Sequence, residues 1–364
     1  MRIKTGSILV VIISLCCLLP GCRRGGADGF VTKGPDGAVT LAVGATADLT
    51  EPVTDFRLEA YYEPIGEILP SDDPRTFMTS MIFAYYDSES VLAFSPDGPG
   101  RVIRISLKDG SFLGEFGRSG RGPGEYVTPL FVFAKDGEVC VNDMRSICHV
   151  YSAADGSWLR DMPLEEETVL FSNYTPLGDG LGIVCHSSMS GNPRLFDIVD
   201  ASGRIVREGK LSGDGQRTSL EEGIAVRYIR QTGDGYGLLT SDTGGMYRIT
   251  AEGASPWLSF DPGHYSLTGK DRIVVSQIFE SGRFVFLSIQ VLDNYRQAVY
   301  DVQSGRLVFC SAVDLSEWDV VVPGFPYSRG GESVTLAPYL AYGGLLICRD
   351  VLAEDHFYCF RRKE

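Results

Sequence analysis

Apolar and polar residues alternate in short runs along most of this chain, and no long stretch carries a helical stripe. The alternation predicts strands, and one kind of turn punctuates it five times. The copies are Lys108-Asp109-Gly110-Ser111-Phe112, Ala154-Asp155-Gly156-Ser157-Trp158, Ala201-Ser202-Gly203-Arg204-Ile205, Ala251-Glu252-Gly253-Ala254-Ser255 and Gln303-Ser304-Gly305-Arg306-Leu307. Their glycines stand 46, 47, 50 and 52 residues apart. Five positions before the glycine come Ile105, Tyr151, Ile198 and Tyr300; two after it come Phe112, Trp158, Ile205 and Leu307. In the Gly253 copy the pattern is displaced, with Tyr247 and Ile249 before the turn and Trp257 after it. Such a glycine supplies the positive φ that a tight hairpin needs. Strands and turns repeating at this period predict a radial array, the β-propeller.

Extending each turn outward gives six units, at residues 81–116, 126–162, 169–211, 224–260, 273–312 and 318–360. The sixth stops where the others turn and add a fourth strand. A bare edge there would be a pairing hazard, so the strand must come from elsewhere. Phe56-Arg57-Leu58-Glu59-Ala60-Tyr61-Tyr62 is the candidate. The predicted fold is therefore all-β, a six-bladed β-propeller over residues 53–364, closed by an N-terminal strand completing the last blade.

The front of the chain predicts an export route. Arg2 and Lys4 precede the apolar run Ile8–Leu19, which suits a secretory signal and is short for a transmembrane helix. It ends at Leu19-Pro20-Gly21-Cys22, which resembles the lipobox of bacterial lipoproteins, with Pro20 departing from the usual small residue. The resemblance implies that residues 1–21 are a signal peptide and that Cys22 carries the lipid. Several acyl chains on one residue hold a protein stably at a membrane surface. Residues 22–52, rich in Gly, Ala, Thr and Asp, are expected to be a flexible tether. Arg23-Arg24-Gly25-Gly26 follows the cysteine in place of an acidic run, which favours the outer membrane with the protein facing the periplasm.

The formal net charge of −14 argues against nucleic acid as a partner, since phosphate backbones would be repelled. Beyond Cys22 six cysteines remain, and two pairs flank turns: Cys140 with Cys148, and Cys348 with Cys359. Each can be a cross-strand bridge or a small apolar residue in a packed strand. No Cys-x-x-Cys occurs and the four histidines are scattered, so no metal site or cofactor is expected.

Between the first two units runs Phe116-Gly117-Arg118-Ser119-Gly120-Arg121-Gly122-Pro123-Gly124-Glu125-Tyr126. This segment resembles the apolar–Gly–Arg–x–Gly–x–Gly–Pro–Gly–Glu–Tyr run of the six-bladed β-propeller lipoproteins of Gram-negative gut anaerobes, which are related to NHL-repeat propellers. With the lipobox and the repeat, the resemblance covers residues 50–364. It implies the same fold and a tethered envelope protein, but no reaction.

The residues themselves leave two readings open. Four glycines can turn several amides into one concavity that favours anions, with Arg118 and Arg121 adding charge. Alternatively the segment is a tight crossover in which Arg118 pairs with Glu125 and Tyr126 starts the next strand. The predicted inner strands, Met81–Tyr85, Pro129–Phe133, Val169–Asn173, Ile224–Ile229 and Ile273–Ile278, carry Asn173, Arg227 and Gln277 but no Asp or Glu. That weighs against a calcium-dependent propeller hydrolase, which needs several carboxylates. No Gly-x-Ser-x-Gly elbow opens a helix. His186-Ser187-Ser188 reads as a loop and Glu165-Glu166-Glu167 as a solvated charge run. No catalytic residue is assigned.

The candidate ligand-binding set is Arg118, Arg121, Glu125, Tyr126, Asn173, Arg227 and Gln277. The expected function is that of a membrane-anchored cell-envelope lipoprotein acting as a non-catalytic ligand- or protein-binding propeller. Its expected partners are the membrane, through Cys22, and a glycan, peptide or protein. The alternatives are a channel-metal hydrolase or lactonase and a structural scaffold of an envelope complex.

Overall fold

The computed structural model describes residues 29–364 apart from 36, 71–72, 79, 98–99, 165–172, 186–195, 210–226, 233–234, 241–244, 268–271, 292–293, 312, 315–323 and 354. The expected signal peptide, residues 1–21, and Cys22 lie outside the described residues, as do His186–Ser188 and Glu165–Glu167.

Six antiparallel sheets form a ring, the six-bladed β-propeller that the repeat predicts. Blade 1 has strands Ile82–Tyr85, Ser90–Ser95, Arg101–Ser106 and Phe112–Glu115. Blade 2 has Pro129–Lys135, Glu138–Asp143, Ile147–Ser152 and Trp158–Pro163. Blade 3 has Asn173–Gly178, Leu181–Cys185, Phe196–Asp200 and Ile205–Gly209. Blade 4 has Arg227–Thr232, Gly235–Thr240, Gly245–Thr250 and Gly253–Phe260. Blade 5 has Ile273–Ser281, Phe284–Val291, Asn294–Asp301 and Arg306–Cys310. Blade 6 supplies Glu332–Tyr342, Leu345–Asp350 and Phe357–Arg362, with Phe325–Arg329 hairpinned onto its first strand. The first strand of each blade faces the axis and meets its neighbours there.

The five repeated turns all join third to fourth strands. Their glycines have positive φ, from 69° at Gly110 to 137° at Gly253. In three of them an aspartate fastens the turn: Asp109, Asp155 and Asp200 each accept the backbone and side-chain donors of the serine two residues on. In every blade the pairing of third with fourth strand slips by one residue, in blades 1–5 just past this turn, so one residue of the outer strand stands unpaired in a bulge. These residues are Leu113, Leu159, Val206, Trp257, Val308 and Ile65, apolar in all six blades. A bulge sharpens twist and re-aims a side chain. In blades 1–3 the residue is exposed, at 50 %, 46 % and 49 % for Leu113, Leu159 and Val206. In blades 4–6 it packs against a core cluster.

An N-terminal strand closes blade 6, but it is Tyr62–Ile68, not Phe56–Tyr62. Residues Leu58–Tyr61 make one helical turn, with Leu58 and the preceding Phe56 buried between blades 5 and 6. Pro64 and Gly66 hide the true strand from a propensity reading. Both have reasons to be there. The strand is the outermost of its sheet, where proline is tolerated. A Cβ on Gly66 would lie 2.1 Å from the Leu107 carbonyl oxygen of blade 1. The closing strand thus sits in the seam between blades 6 and 1, where Ile68, Leu107, Ile103, Phe357 and Cys359 pack together. Each such side chain, once buried, contributes roughly 1.5–3 kcal/mol.

Folded structure begins well before residue 53, inside the span expected to be a tether. Val31–Lys33 and Val39–Leu41 form a hairpin whose second strand pairs in parallel with Leu258–Phe260, the end of blade 4's outer strand. A short helix, Val43–Ala47, follows; Thr46 hydrogen-bonds Tyr300 of blade 5 at 2.6 Å through their buried hydroxyls. Val53–Thr54 then pairs with Phe309–Cys310, blade 5's outer strand. The segment is a strap along the rim of blades 4, 5 and 6. Alternate apolar residues (Val31, Val39, Leu41, Val43) make this possible, and in a glycine-rich sequence they were too sparse to read as strands.

Strand register rules out one of the two cysteine bridges. Ile347 faces Cys359 and Cys348 faces Tyr358, so Cys348 and Cys359 project to opposite faces and into different clusters. Cys140 and Cys148 share one face and one cluster as buried thiols.

Candidate functional site

Two places bring polar side chains together around the axis and its approaches. The first is the glycine-rich crossover from blade 1 to blade 2. Arg118–Ser119 pairs in parallel with Glu125–Tyr126, folding the loop back on itself. The Glu125 carboxylate fills the concavity: one oxygen accepts from the Arg118 guanidinium at 2.7 Å, the other from the amides of Gly122 at 2.9 Å and Arg121 at 3.1 Å. The Gly122 amide, then Arg118, hold this carboxyl below its ordinary range. The anion that the amides favour is therefore the chain's own. Gly120 is required by the same arrangement, because a Cβ there would stand 2.1 Å from a Glu125 oxygen.

A buried network beneath fixes the loop. Tyr126 is fully buried; its hydroxyl accepts from the Val102 amide at 3.0 Å and donates to the Phe116 carbonyl at 2.9 Å. The Tyr151 hydroxyl donates to the Gly124 carbonyl, and the Trp158 indole lies against Gly124. Asp143 accepts from the Val127 amide at 3.0 Å and from Arg145 at 2.7 Å, while Arg145 also donates to the Glu125 carbonyl. His149 bridges Asp161, at 2.6 Å, toward Asp143, at 3.5 Å. Burial alone would raise the Asp143 carboxyl, but the bonds from His149, Val127 and Arg145 outweigh it and hold it well below its usual range.

The second place is on the axis. The inner strands of blades 1, 2, 5 and 6 enclose a cavity of about 200 Å³, lined by Phe83, Phe131, Phe133, Phe279, Tyr339 and other apolar side chains. Ile82, at the start of its strand and 37 % exposed, marks the end open to solvent. At the other end Gln231 reaches across from blade 4 and accepts the Tyr85 amide of blade 1, on the opposite side of the ring, at 3.0 Å. Gln231 is only 5 % exposed, and its amide nitrogen is buried beside the Tyr236 hydroxyl. Tyr236 stands opposite Gln231 in register and is 3 % exposed. Burial, then the nearby Tyr342, push the Tyr236 phenol up.

The remaining candidates are spread around the ring. Asn173 and Arg227 start the inner strands of blades 3 and 4, opposite Cys185 and Thr240; their side chains lie outside the described residues. Gln277, on blade 5, is exposed and accepts the Ser288 hydroxyl at 3.2 Å. Arg118 and Arg121 are exposed, and Tyr126 is out of a ligand's reach. The structure joins Arg118, Arg121 and Glu125 to one another and does not gather the inner-strand residues with them. Gln231 was missed because its partner lies 146 positions away. The one available signal was a glutamine close to the end of an inner strand. Among the described residues no group of three or more His, Cys, Asp or Glu side chains could hold a metal ion.

No protein-family model matches this chain, and no curated protein sequence does. Solved structures do resemble it. The crystal structure of the exported protein BF0058 from Bacteroides fragilis NCTC 9343 superposes with a TM-score of 0.57 at 14 % identity, over 86 % of this chain and 95 % of that one. The β-propeller domain of Cps50 (Swd1) from Myceliophteria thermophila gives 0.42 at 13 % identity, over 77 % and 81 %. BamB from Moraxella catarrhalis gives 0.40 at 9 %, over 77 % and 84 %. At these identities the likeness concerns the fold.

Proposed function

We propose that this chain is a membrane-anchored cell-envelope lipoprotein, held by lipid on Cys22 at the outer membrane and facing the periplasm, whose propeller binds a ligand without transforming it. The axial cavity is the observation that carries the binding reading: it is a concave, mostly apolar recess at the centre of the ring, the form small-molecule sites take, on a smaller scale. The resemblance of Leu19–Cys22 to a lipobox, and of Phe116–Tyr126 to the propeller-lipoprotein segment, supports the location. The likeness to an exported propeller agrees with it.

The anchoring half is tested by replacing Cys22. Full-length protein should fractionate with membranes and Cys22→Ala should not; equal partition of both would end the lipoprotein reading. The binding half is tested by melting the protein against a panel of small neutral molecules, since a ligand of the native state raises the midpoint by mass action. A melting point indifferent to the whole panel would remove the axial site.

The scaffold alternative has an observation of its own. Leu113, Leu159 and Val206 repeat at one height on the rim of three adjacent blades, uncovered where blades 4 and 5 carry the strap. An extended segment of a partner protein, running as the strap does, would fit there. A photoreactive residue at position 159 should then crosslink one defined envelope protein that the same residue at position 257 does not.

A further inference from the structure

We infer that the seam between blades 3 and 4 receives an extended segment of a partner protein, added as a strand to the outer edge of Ile205–Gly209 with a basic side chain turned to Glu252. The inference is independent of the axial cavity. It rests on the scaffold reading and narrows that reading from the rim of three blades to one seam. The ring's own repetition singles this seam out.

In blades 1 to 3 the repeated turn packs onto the blade before it. A Cβ on Gly110 would lie 3.2 Å from Ile68, at the end of blade 6's outer strand. One on Gly156 would lie 3.1 Å from the Glu115 carbonyl oxygen of blade 1, and one on Gly203 3.4 Å from Met162 of blade 2. The turn of blade 5 instead rests on the strap, where a Cβ on Gly305 would lie 3.7 Å from the Val31 carbonyl oxygen. Val31 pairs with Leu41, and Leu41 with Phe260 at the end of blade 4's outer strand. The turn of blade 4 stands off: among the described residues, chain neighbours aside, no atom comes within 4 Å of a Cβ on Gly253. The cause is the length of the turn. Thr250 pairs with Gly253, so two residues span the strands, whereas four separate Ser106 from Ser111, Ser152 from Ser157 and Asp301 from Arg306.

The shortfall leaves a cleft of about 420 Å³ between the outer strand of blade 3 and the turn of blade 4. Arg207 crosses it to donate to the Ala251 carbonyl at 2.9 Å, and Phe196 and Ala254 line it. Along one wall runs Ile205–Gly209, which among the described strands pairs only with Phe196–Asp200 and so presents an edge. At the neighbouring seam the corresponding edge is covered by an extended segment, since Val39–Leu41 pairs in parallel with Leu258–Phe260. Main-chain bonds to such an edge supply affinity, and side-chain pockets supply specificity. The occupant is therefore polypeptide, and the lining sets its charge. Arg207, Glu208 and Glu252 are the charged residues there, two carboxylates to one guanidinium, on a chain of net charge −14. The Thr250 hydroxyl donates to Glu252 at 2.7 Å and holds its carboxyl below its ordinary range. A lysine or arginine side chain is attracted by that carboxylate, and an aspartate or glutamate is repelled.

A library of short random peptides displayed on phage supplies the probe. Panned against the purified full chain, it should yield sequences rich in β-branched and basic residues. A synthetic peptide of the recovered sequence should bind in fluorescence anisotropy about tenfold more tightly than the same peptide with its basic residues replaced by glutamate. Hydrogen exchange at Ile205–Gly209 should slow when it binds. Two variants of the turn locate the site. Inserting Asp-Gly between Ala251 and Glu252 gives the loop length of blades 1, 2 and 5, and should abolish binding without moving the melting point. Glu252→Lys should reverse the preference between the two peptides. Recovery of no sequence, of acidic sequences, or of sequences that bind the lengthened variant equally well would overturn the inference. A chain that sediments as a dimer, and as a monomer once the turn is lengthened, would make the occupant a second copy and overturn the partner. A photoreactive residue at position 255 that captures nothing, while one at position 159 captures a defined envelope protein, would overturn this seam and leave the scaffold reading standing.

Discussion

Glu125 shows how one residue settles what a motif is for. Four glycines and two arginines make a surface that attracts anions, and the chain answers with its own carboxylate three residues after Gly122. The sequence shows both partners but not their distance, so both readings of this loop were open until the backbone fold was known. Asp143 is the deeper member of the same assembly, completely buried at its side chain and bonded to His149, Val127 and Arg145. Its folded pKa is depressed, so its stabilisation is complete above the ordinary aspartate value of 3.8 and is lost as pH falls below it. Asp143→Asn should therefore cost on the order of 3 kcal/mol at pH 7, as expected for breaking a buried charge pair. The deficit should shrink below about pH 4 in urea unfolding curves. A deficit that stays constant from pH 6 to pH 3 would show that the charge is not what matters.

Among the elements, the outer strands combine a legible feature with a hidden one. The repeated glycine could be read because positive φ restricts the residue types that a turn accepts. The bulge beside it could not, because two residues facing one is a relation between strands. Its trace is a second apolar residue directly after the expected one, as in Phe112-Leu113, Trp158-Leu159 and Leu307-Val308. That pair breaks the alternation and looks like noise in a single copy. The six bulge residues should respond to substitution according to what covers them. Leu159→Ala should change stability by no more than about 0.5 kcal/mol, as surface sites do. Trp257→Ala, which removes a ring lying beneath the Arg248 guanidinium and against the strap, should cost about 3 kcal/mol. Equal losses in chemical denaturation would mean that the strap does not cover blade 4 as described.

At the scale of the whole molecule, ring closure was legible from a count of strands, whereas the identity of the closing strand was not. The choice between Phe56–Tyr62 and Tyr62–Ile68 depends on Gly66 meeting the Leu107 carbonyl of the next blade, a contact made only when the ring is complete. The strap was concealed for a similar reason, since Leu41, Val43 and Phe56 acquire their burial from blades hundreds of positions later in the chain. Deleting residues 1–57 spares the closing strand but removes these side chains from the core. The truncated protein should lose on the order of 5 kcal/mol and melt earlier. An unchanged midpoint would show the strap to be an ornament on a self-sufficient ring.

The route of the strap also decides how the molecule meets tension. A pull on the chain at Gly29 acts first on the hairpin at blade 4, then on the short helix held by Thr46, then on the two-residue pairing at blade 5. The strand that locks blade 6 to the rest lies last in that series. The attachments in front of it can slip one after another while the ring stays shut, much as a cable clamp spares the joint behind it. A propeller closed directly by the strand nearest its tether would open at the first tug.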